Sequence, residues 1–406
     1  MIILWSAVWR RIRRNMLQRF IRSPSLCLLG IVSMIVIFFL FGFHLGMSYS
    51  TSNSVLSEQQ SWSSQSQISE QTITNNRSTK TYPMIFIGGM PRSGTTLMRA
   101  ILDCHPLVRC GEETGVIPSI LQMRMLWKES PAERDRLIAG DVNEPMLDAA
   151  VRSFIYEILI RHSHNADVMC DKDPFVLNYA TYIASIFPAS KFLLLVRDAR
   201  AVIHSVMTRK MFITDFNLTD YRQNFKSWNK GIEIMVNQCT QVGKEKCLIV
   251  RYEQLVLQSK KTIEAILKFL GLPWVNAVLQ HEKFVGTKVS LSKVGFSSDQ
   301  VVKPINLEAL TKWTGNLPSD INKEINTLAP MLKRLGYDTQ SNVPSYGVAD
   351  EFVLNNTNEL NSNAIYWNAK AKSYALPTPT TSFLSDVAEG LRMVLKSPVY
   401  FKQRFL

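Results

Sequence analysis

An apolar segment that ends in glycines and leads into two threonines constrains the fold of this chain more than any other feature. The segment opens at Tyr82 and ends at Gly89, and the loop after it continues to Thr96. Short apolar runs of this kind are typical of strands buried in a parallel sheet, and a helix is predicted from Thr95. Many glycine-rich turns are only tight connections. Where such a turn opens a helix, backbone N–H groups and the helix dipole converge on an anion.

Two later segments repeat the strand pattern. Lys191–Val196 and residues 246–250 are nearly continuous in apolar residues, and each precedes a helical stretch. Residues 145–161 instead place apolar side chains at intervals of three and four, as in an amphipathic helix. Strands that alternate with helices predict an α/β fold, with a P-loop-like parallel sheet flanked by helices on both faces. We assign this sheet to a single catalytic domain, residues 81–340.

The N-terminal region predicts a membrane anchor. The first 50 residues carry six arginines and no acidic residue, and the arginines precede an uncharged apolar run that starts at Leu26 and continues to Met47. This run is long enough for one short helix across a hydrocarbon core about 30 Å thick. A cleaved signal peptide is the alternative. Arginines before the span place the N-terminus in the cytosol and the catalytic domain in the lumen.

The rest of the chain divides into four segments. Residues 1–25 form a cytosolic basic tail, residues 26–47 the transmembrane signal anchor, and residues 48–80 a Ser/Gln-rich stem too polar to form a core. Residues 341–406 form a C-terminal extension of unknown role, with a short helix predicted over 384–396. A short span suits the thin membranes of the early secretory pathway, and we expect a single-pass type II protein of the Golgi membrane.

The formal charge of +13 suggests a nucleic-acid ligand only until it is divided by region. Six of these charges are the N-terminal arginines, so the rest of the chain carries 13 less 6, or +7. The strongest basic run is therefore a cytosolic tail rather than a folded patch with interleaved aromatic residues. We exclude a nucleic-acid binder on that ground.

The glycine loop differs from an ATP-binding P-loop. The Gly-Lys-Ser/Thr of that motif is replaced by Gly94-Thr-Thr96, and the cation moves forward to Arg92. The sequence offers no lysine to bridge β and γ phosphates, no evident carboxylate set for magnesium, and no CxxC or His-rich spacing for zinc. We expect no metal. A donor with a 5′ phosphate and a leaving sulfuryl group would suit this loop, because it needs less charge neutralised and no magnesium clamp.

The residues from Pro91 to Leu97 resemble the 5′-phosphosulfate loop of sulfotransferases that use 3′-phosphoadenosine-5′-phosphosulfate (PAPS). The closer resemblance is to the tyrosylprotein sulfotransferase family and covers about residues 82–338. Any one block would be a weak signal, but their order makes the match specific. The further blocks are Arg109-Cys-Gly-Glu-Glu-Thr114, Cys170-Asp-Lys-Asp-Pro-Phe175, Leu195-Val-Arg-Asp-Ala-Arg200, Arg251-Tyr-Glu-Gln-Leu255 and Val289-Ser-Leu-Ser-Lys293.

The resemblance implies that PAPS is the donor. Arg197, Ser205 and Arg209 match the family's site for the 3′-phosphate, and arginine forks suit a phosphate monoester. An exposed basic helix start is the alternative for these residues. The implied donor contacts are Arg92, Ser93, Gly94, Thr95, Thr96, Arg197, Ser205, Arg209, Tyr252, Ser297, Ser298, Asp299, Gln300, Val301, Val302, Lys303, Pro304, Ile305, Asn306 and Lys312.

Sulfation of tyrosine needs a base for a phenol whose pKa is near 10 and a positive charge near the departing phosphate. The resemblance assigns the base to Glu113 of the pair Glu112-Glu113. It assigns the cation to Lys172, with Arg92 and Ser297 assisting. A solvated or salt-bridged acidic pair is the alternative for the glutamates, and a structural ion pair with its aspartate neighbours is the alternative for the lysine.

The family's acceptor tyrosines lie among acidic residues, so a basic acceptor groove is expected. Arg136 matches a basic position near that groove, whereas Gly115 and Ser119 stand where the vertebrate members carry arginine. The preference for acidic substrates is therefore expected to be weaker or differently placed. The family also implies a homodimer. The implied acceptor contacts are Gly115, Val116, Ile117, Pro118, Ser119 and Arg136.

Two disulfides are expected, because the lumen is oxidising. Cys239 and Cys247 lie close together across a predicted helix-to-strand turn. Cys110 and Cys170 flank segments that the resemblance brings to the active site. Cys104 is then left over.

Three Asn-X-Ser/Thr sequons are candidate glycosylation sites in a lumenal chain. They begin at Asn76, Asn217 and Asn355. Such sequons also arise by chance.

Two other functions share parts of this pattern. A Golgi carbohydrate sulfotransferase would share the anchor, stem, loop and donor, but the blocks around Glu113 and Lys172 argue against it. A catalytically silent nucleotide-binding protein would share the loop, but the retention of Arg92 together with these two residues argues against that as well. We expect an enzyme that sulfates tyrosine hydroxyls of secretory and membrane proteins.

Overall fold

A five-stranded parallel sheet organises the chain. The computed structural model describes residues 83–162, 166–213, 215–292 and 295–375. In these residues the strand order is β2-β3-β1-β4-β5, and every pairing is parallel. The predicted parallel α/β sheet is confirmed. The strands are β1 (Ile85–Gly89), β2 (Val108–Arg109), β3 (Val168–Lys172), β4 (Lys191–Val196) and β5 (Cys247–Arg251).

Helices connect the strands and continue beyond the last one. The α-helices are α1 (Thr95–Asp103), α2 (Val116–Glu129), α3 (Pro131–Ala139), α4 (Glu144–His162), α5 (Ala180–Ile186), α6 (Ala199–Thr208), α7 (Tyr221–Val242), α8 (Tyr252–Leu257), α9 (Ser259–Leu270), α10 (Ser298–Val301), α11 (Glu308–Thr311), α12 (Ser319–Leu328), α13 (Met331–Arg334), α14 (Glu351–Ser362) and α15 (Ala364–Ser373). Short 3₁₀ turns cover Val176–Tyr179, Asn276–Leu279 and His281–Lys283. The helix predicted over 145–161 is confirmed as α4.

Both faces of the sheet are buried, which explains why its central strands read as continuous apolar runs. Side chains alternate along a strand, so Phe86 packs on one face, where its ring stacks on Phe192 with centroids 5.7 Å apart. Ile87 and Leu193 pack on the other face. Trp228 of α7 is fully buried in the first of these cores. The prediction of helices on both faces is confirmed.

The sheet brings the carboxyl ends of three strands to one edge. The pairing sets Ile87 beside Lys172 at the end of β3, and Gly89 beside Leu195 near the end of β4. The glycine loop, Lys172 and Arg197 therefore leave the sheet next to one another. In parallel α/β sheets this edge is where ligands bind.

Sequence reasoning did not predict β2 and β3 as strands. The first has only two residues, and the second ends in Asp171 and Lys172, whose charges interrupt the apolar pattern. Both strands are nevertheless buried for the most part.

The C-terminal extension contains two helices that its sequence did not predict, α14 and α15. Val353 anchors α14 in the core beneath the sheet, and Lys370 of α15 donates to the carbonyl oxygen of Glu282 at 3.2 Å. The helix predicted over 384–396 lies outside the described residues, as do the tail, the anchor, the stem and Asn76. No helix within the described ranges is long and apolar enough to cross a membrane.

The two predicted disulfides are confirmed. Cys110 at the end of β2 bonds to Cys170 of β3, and Cys239 of α7 bonds to Cys247 of β5. Cys104 is buried and free. The first bridge joins the segment that leads to Glu113 to the strand that ends in Lys172.

Removal of the Cys110–Cys170 bridge is expected to destabilise the fold more than removal of the other bridge. The bridges close sequence separations of 60 and 8 residues. Loop-closure entropy then gives about 4 kcal/mol for the longer loop and about 2.5 kcal/mol for the shorter. Urea unfolding of the C110S/C170S and C239S/C247S variants measures both losses. A larger loss from the short loop would contradict the prediction.

Candidate active site

The loop after β1 needs glycine at two positions. Gly89 has φ +149°, and a side-chain Cβ there would lie 2.3 Å from the carbonyl oxygen of Leu195. Gly94, just before α1, has φ +102°, and a Cβ there would lie 2.5 Å from the Tyr252 ring. Arg92 also has a positive φ, +74°, which non-glycine residues rarely adopt. The tight path of this loop leads directly into the first turn of α1.

Arg92 ties the loop to two other segments. Its side chain is buried, and its Nε donates to the Ser205 hydroxyl at 2.9 Å. Its Nη1 donates to the carbonyl oxygen of Phe296 at 2.8 Å and to the hydroxyl of Ser297. Its Nη2 donates to the amide oxygen of Gln300. The loop, α6 and the segment around α10 thus meet on one guanidinium.

Two further arginines lie close to Arg92. Arg197 donates to the Arg92 carbonyl at 2.9 Å and stacks over the Tyr252 ring, 4.4 Å from its centroid. Its Nε is buried and has no hydrogen-bond partner among the described residues. Arg209 forms two bonds of 3.0 and 2.8 Å to Asp299. Burial and the charges of Arg209 and Arg197 lower the pKa of Arg92 to about 9. This concentration of positive charge, with a buried donor left over, fits a polyanionic ligand.

Glu113 and Lys172 form an ion pair on the same side of the sheet. Only 3% of the lysine side chain is exposed, against 48% for the glutamate, so the pair has one buried and one accessible member. Glu112 turns the other way, with a carboxylate oxygen 3.7 Å from Arg99. The two adjacent glutamates therefore differ in partner, and the second of them faces the buried lysine.

The aspartates beside Lys172 do not form an ion pair with it in the described part of the chain. Asp173 instead accepts a hydrogen bond from the Gly115 amide at 2.8 Å. Burial and the nearby Glu113 carboxylate raise the pKa of Asp173 to about 6, and burial next to Asp173 raises the pKa of Asp171 well above its usual range. The lysine pairs across the site rather than with its sequence neighbours.

The glycine loop, the three arginines and the Glu113–Lys172 pair line one cavity of about 620 Å³, a size typical of small-ligand sites. The predicted residues among its lining come from six separate parts of the sequence. The predicted residues that line the cavity are Arg92, Gly94, Thr95, Thr96, Glu113, Gly115, Lys172, Arg197, Arg209, Tyr252, Ser297, Ser298, Asp299, Gln300, Val301, Lys303, Pro304, Ile305, Asn306 and Lys312.

Other predicted residues lie away from the cavity surface. Ser205 lies behind Arg92 and accepts its hydrogen bond. Arg136 is largely exposed on α3 and pairs with Glu133. The contacts predicted for this group stay predictions. Its members are Ser93, Ser205, Val302, Val116, Ile117, Pro118, Ser119 and Arg136.

Several residues of the site were missed from the sequence. Arg99 is buried and donates to the carbonyl oxygens of Gly111 and Ser290 at 3.0 and 2.6 Å, so it supports the segment that carries Glu113. A charged residue on the apolar helix α1, four residues from Asp103, was the available signal. Phe175, Phe296 and Glu308 also line the cavity. Among the described residues no group of His, Cys, Asp or Glu is placed to hold a metal ion.

The fold and the site together define a broad class before any relative is considered. A glycine loop at the end of a buried parallel strand, opening a helix above an arginine-rich cavity, is typical of enzymes that transfer charged groups from nucleotides. Residues 83–276 match the model of the Sulfotransferase family.

Relatives place the chain more narrowly. Protein-tyrosine sulfotransferase 2 of Gallus gallus is 49% identical over 308 residues, which are 75% of this chain and 83% of that protein. Protein-tyrosine sulfotransferase A of Caenorhabditis elegans is 50% identical over 292 residues, 72% and 77% of the two chains. Protein-tyrosine sulfotransferase 1 of Danio rerio is 52% identical over 283 residues, which are 69% of this chain and 79% of that protein. The chain belongs to the protein-tyrosine sulfotransferase family, as its motifs predict.

Proposed function

We propose that this protein transfers the sulfuryl group of PAPS to tyrosine hydroxyls of other proteins. The observation that carries the proposal is the Glu113–Lys172 ion pair, which lies in the same cavity as the anion-binding loop. A loop of this kind serves many nucleotide enzymes. A buried cation paired with an accessible carboxylate beside it supplies what sulfation of a phenol needs in addition.

In this reaction the phenol oxygen attacks sulfur while the bond from sulfur to the bridging oxygen of the donor breaks. The products are tyrosine O-sulfate, adenosine 3′,5′-bisphosphate and one proton. Glu113 accepts the phenol proton as general base. Lys172, which lines the cavity, stabilises the negative charge that develops on the bridging oxygen. Arg92 and Ser297 assist on the side of the sulfuryl group.

The residues present fit the phosphates of the donor. Backbone N–H groups from Gly94 to Thr96 at the start of α1 suit the 5′ phosphosulfate. Arg197 and Arg209 line the cavity and suit the 3′-phosphate. Asp299 shares Arg209 in this structure, so the 3′-phosphate would add to or replace that carboxylate. None of these contacts needs a metal ion, and we propose metal-independent transfer.

The proposal also covers the cellular compartment, substrates and assembly of the enzyme. The arginine-flanked apolar run supports a type II Golgi membrane protein with a lumenal site, and the two disulfides suit an oxidising compartment. Acceptor tyrosines in acidic sequences suit the positive charge of the site. Homodimerisation and glycosylation complete the proposal. Of the sequon asparagines, Asn355 is exposed on α14 and Asn217 is half-buried.

A labelled-donor assay tests this function directly. The full chain in detergent is incubated with ³⁵S-labelled PAPS and EDTA, together with an acidic peptide that contains one tyrosine. The phenylalanine version of the peptide and a glycan acceptor are the matched controls. We expect label on the tyrosine peptide alone. Label on the glycan, or on neither peptide, would refute the proposal.

A further inference from the structure

The C-terminal strap, which we define as residues 341–375, is hydrogen-bonded to the wall of the donor cavity. The Asn356 side-chain amide on α14 donates to the carbonyl oxygen of Ile305 at 3.0 Å. The hydroxyl of Thr357, one residue on, accepts from the backbone amide of Leu307 at 3.2 Å. Ile305 and Asn306 line the cavity. Two adjacent residues of α14 therefore hold the backbone on either side of Asn306.

The segment that follows this wall also accepts a hydrogen bond from Arg197. Immediately after Leu307, α11 begins, and its Ala309 carbonyl accepts a bond of 2.6 Å from Nη2 of Arg197. The same short helix carries Glu308, which pairs with Lys312, and both of these residues line the cavity. A displacement of residues 305–307 would therefore also shift the partners of Arg197 and Lys312, two of the cations proposed to hold the donor.

A second part of the strap lies behind the same cations. The Tyr346 hydroxyl donates to the fully buried Asp198 carboxylate at 2.8 Å, and the Gln254 amide donates to the Tyr346 carbonyl at 2.8 Å. Asp198 directly follows Arg197, and Gln254 lies two residues after Tyr252. Tyr346 is thus bonded to the side chains of two residues that lie next to Arg197 and Tyr252 in the sequence.

We infer that the strap is a positioning element for the donor, with Asn356 and Tyr346 as its positioning residues. It bonds the backbone of the cavity wall and the residues next to the arginine–tyrosine stack, and its Ala371 lines the cavity. Glu113 and Lys172 are instead held by the sheet and the Cys110–Cys170 bridge. The strap should therefore set affinity for the nucleotide and leave the chemical step unchanged. This inference rests on the proposed use of a 3′-phosphorylated nucleotide.

The sharpest test compares two asparagines on the same helix. Asn356→Ala removes the bond to Ile305 and leaves the sequon at Asn355 intact, whereas Asn358→Ala changes an exposed residue two positions on. The loss of one hydrogen bond is expected to weaken binding about fivefold. We expect Asn356→Ala to raise both the Kd for adenosine 3′,5′-bisphosphate, measured by calorimetry, and the KM for PAPS by that factor. The kcat and the KM for the acceptor peptide should change less than twofold, and Asn358→Ala should match the wild type.

Melting temperatures without ligand separate positioning from stability. A variant that melts lower but binds the bisphosphate as the wild type does would overturn the inference, as would an equal loss in kcat and in the KM for the peptide. Tyr346→Phe is the second variant, and it should raise the same Kd because it removes the bond from the strap to Asp198, which then keeps its pairing with Arg200. If the wild-type chain itself fails to bind the bisphosphate, the proposed function fails rather than the role of the strap.

Discussion

Replacing Glu113 by glutamine is expected to lower kcat for tyrosine sulfation by about a hundred- to ten-thousand-fold, the usual contribution of a general base. Glutamine keeps the size of the side chain and can still accept a hydrogen bond from Lys172, but it cannot take the phenol proton. Only about half of the glutamate side chain is buried, so the fold should tolerate the change. Steady-state kinetics with the acidic tyrosine peptide measures the loss, and the Kd for adenosine 3′,5′-bisphosphate should stay within about twofold.

Glu112→Gln is the matched control for this variant. The two residues are neighbours in sequence, yet Glu112 lies 3.7 Å from Arg99 and is not paired with Lys172. Its loss should weaken the support of the loop and lower kcat less than tenfold, since a partly exposed ion pair contributes about 0–1 kcal/mol. Equal losses in the two variants would mean that the acidic pair acts through its charge alone, and Glu113 would not be the base.

Two of the three strands predicted from sequence, β1 and β4, are buried almost throughout, whereas β5 was predicted although its Ile249 is exposed. β1 and β4 are buried on both faces and have no functional side chain before their last residues, so their apolar runs identify them. β3 is also largely buried, but it ends in Asp171 and Lys172. These charged residues interrupt the apolar run by which a buried strand is recognised. Sequence reasoning failed here because the functional residues replace the apolar ones.

The composition of the site was predictable, but its pairings were not. Motif blocks placed Glu113 and Lys172 in the site, while the open choice between an ion pair with local aspartates and one across the site was decided only by the fold. These two residues are 59 positions apart and meet because β2 and β3 are neighbours. The parallel pairing and the Cys110–Cys170 bridge are long-range facts that no local pattern encodes.

The strap is the part of the fold that the sequence predicted least well. Its sequence is polar and its helices bury little apolar surface, so neither composition nor periodicity indicated a packed segment. Its attachment depends instead on backbone acceptors of other segments and on single side chains such as Val353 and Tyr346. Contacts of this kind depend on where two backbones come to lie, which is a property of the finished fold.

Replacing Lys172 by alanine is expected to lower kcat by about a hundred- to a thousand-fold, the usual cost of removing one preorganised donor from a developing anion. The lysine is buried, so its charge acts through a medium of low dielectric constant and no water replaces it readily. Binding of the bisphosphate should weaken less than kcat, because the charge it stabilises develops mainly in the transition state. Kinetics and calorimetry on the same preparation measure the two effects.

Lys191→Ala is the control, since this lysine begins β4 at the opposite end of the sheet and is half-buried. Its ammonium bonds the Glu245 carbonyl and lies 4.8 Å from the Phe269 ring. It should keep full activity. The double variant Glu113→Gln with Lys172→Ala then decides whether the pair acts in one step. If base and cation serve the same transition state, the double loss should be clearly smaller than the product of the single losses. A fully multiplicative loss would mean that the two residues act independently, and the ion pair would be incidental to the chemistry.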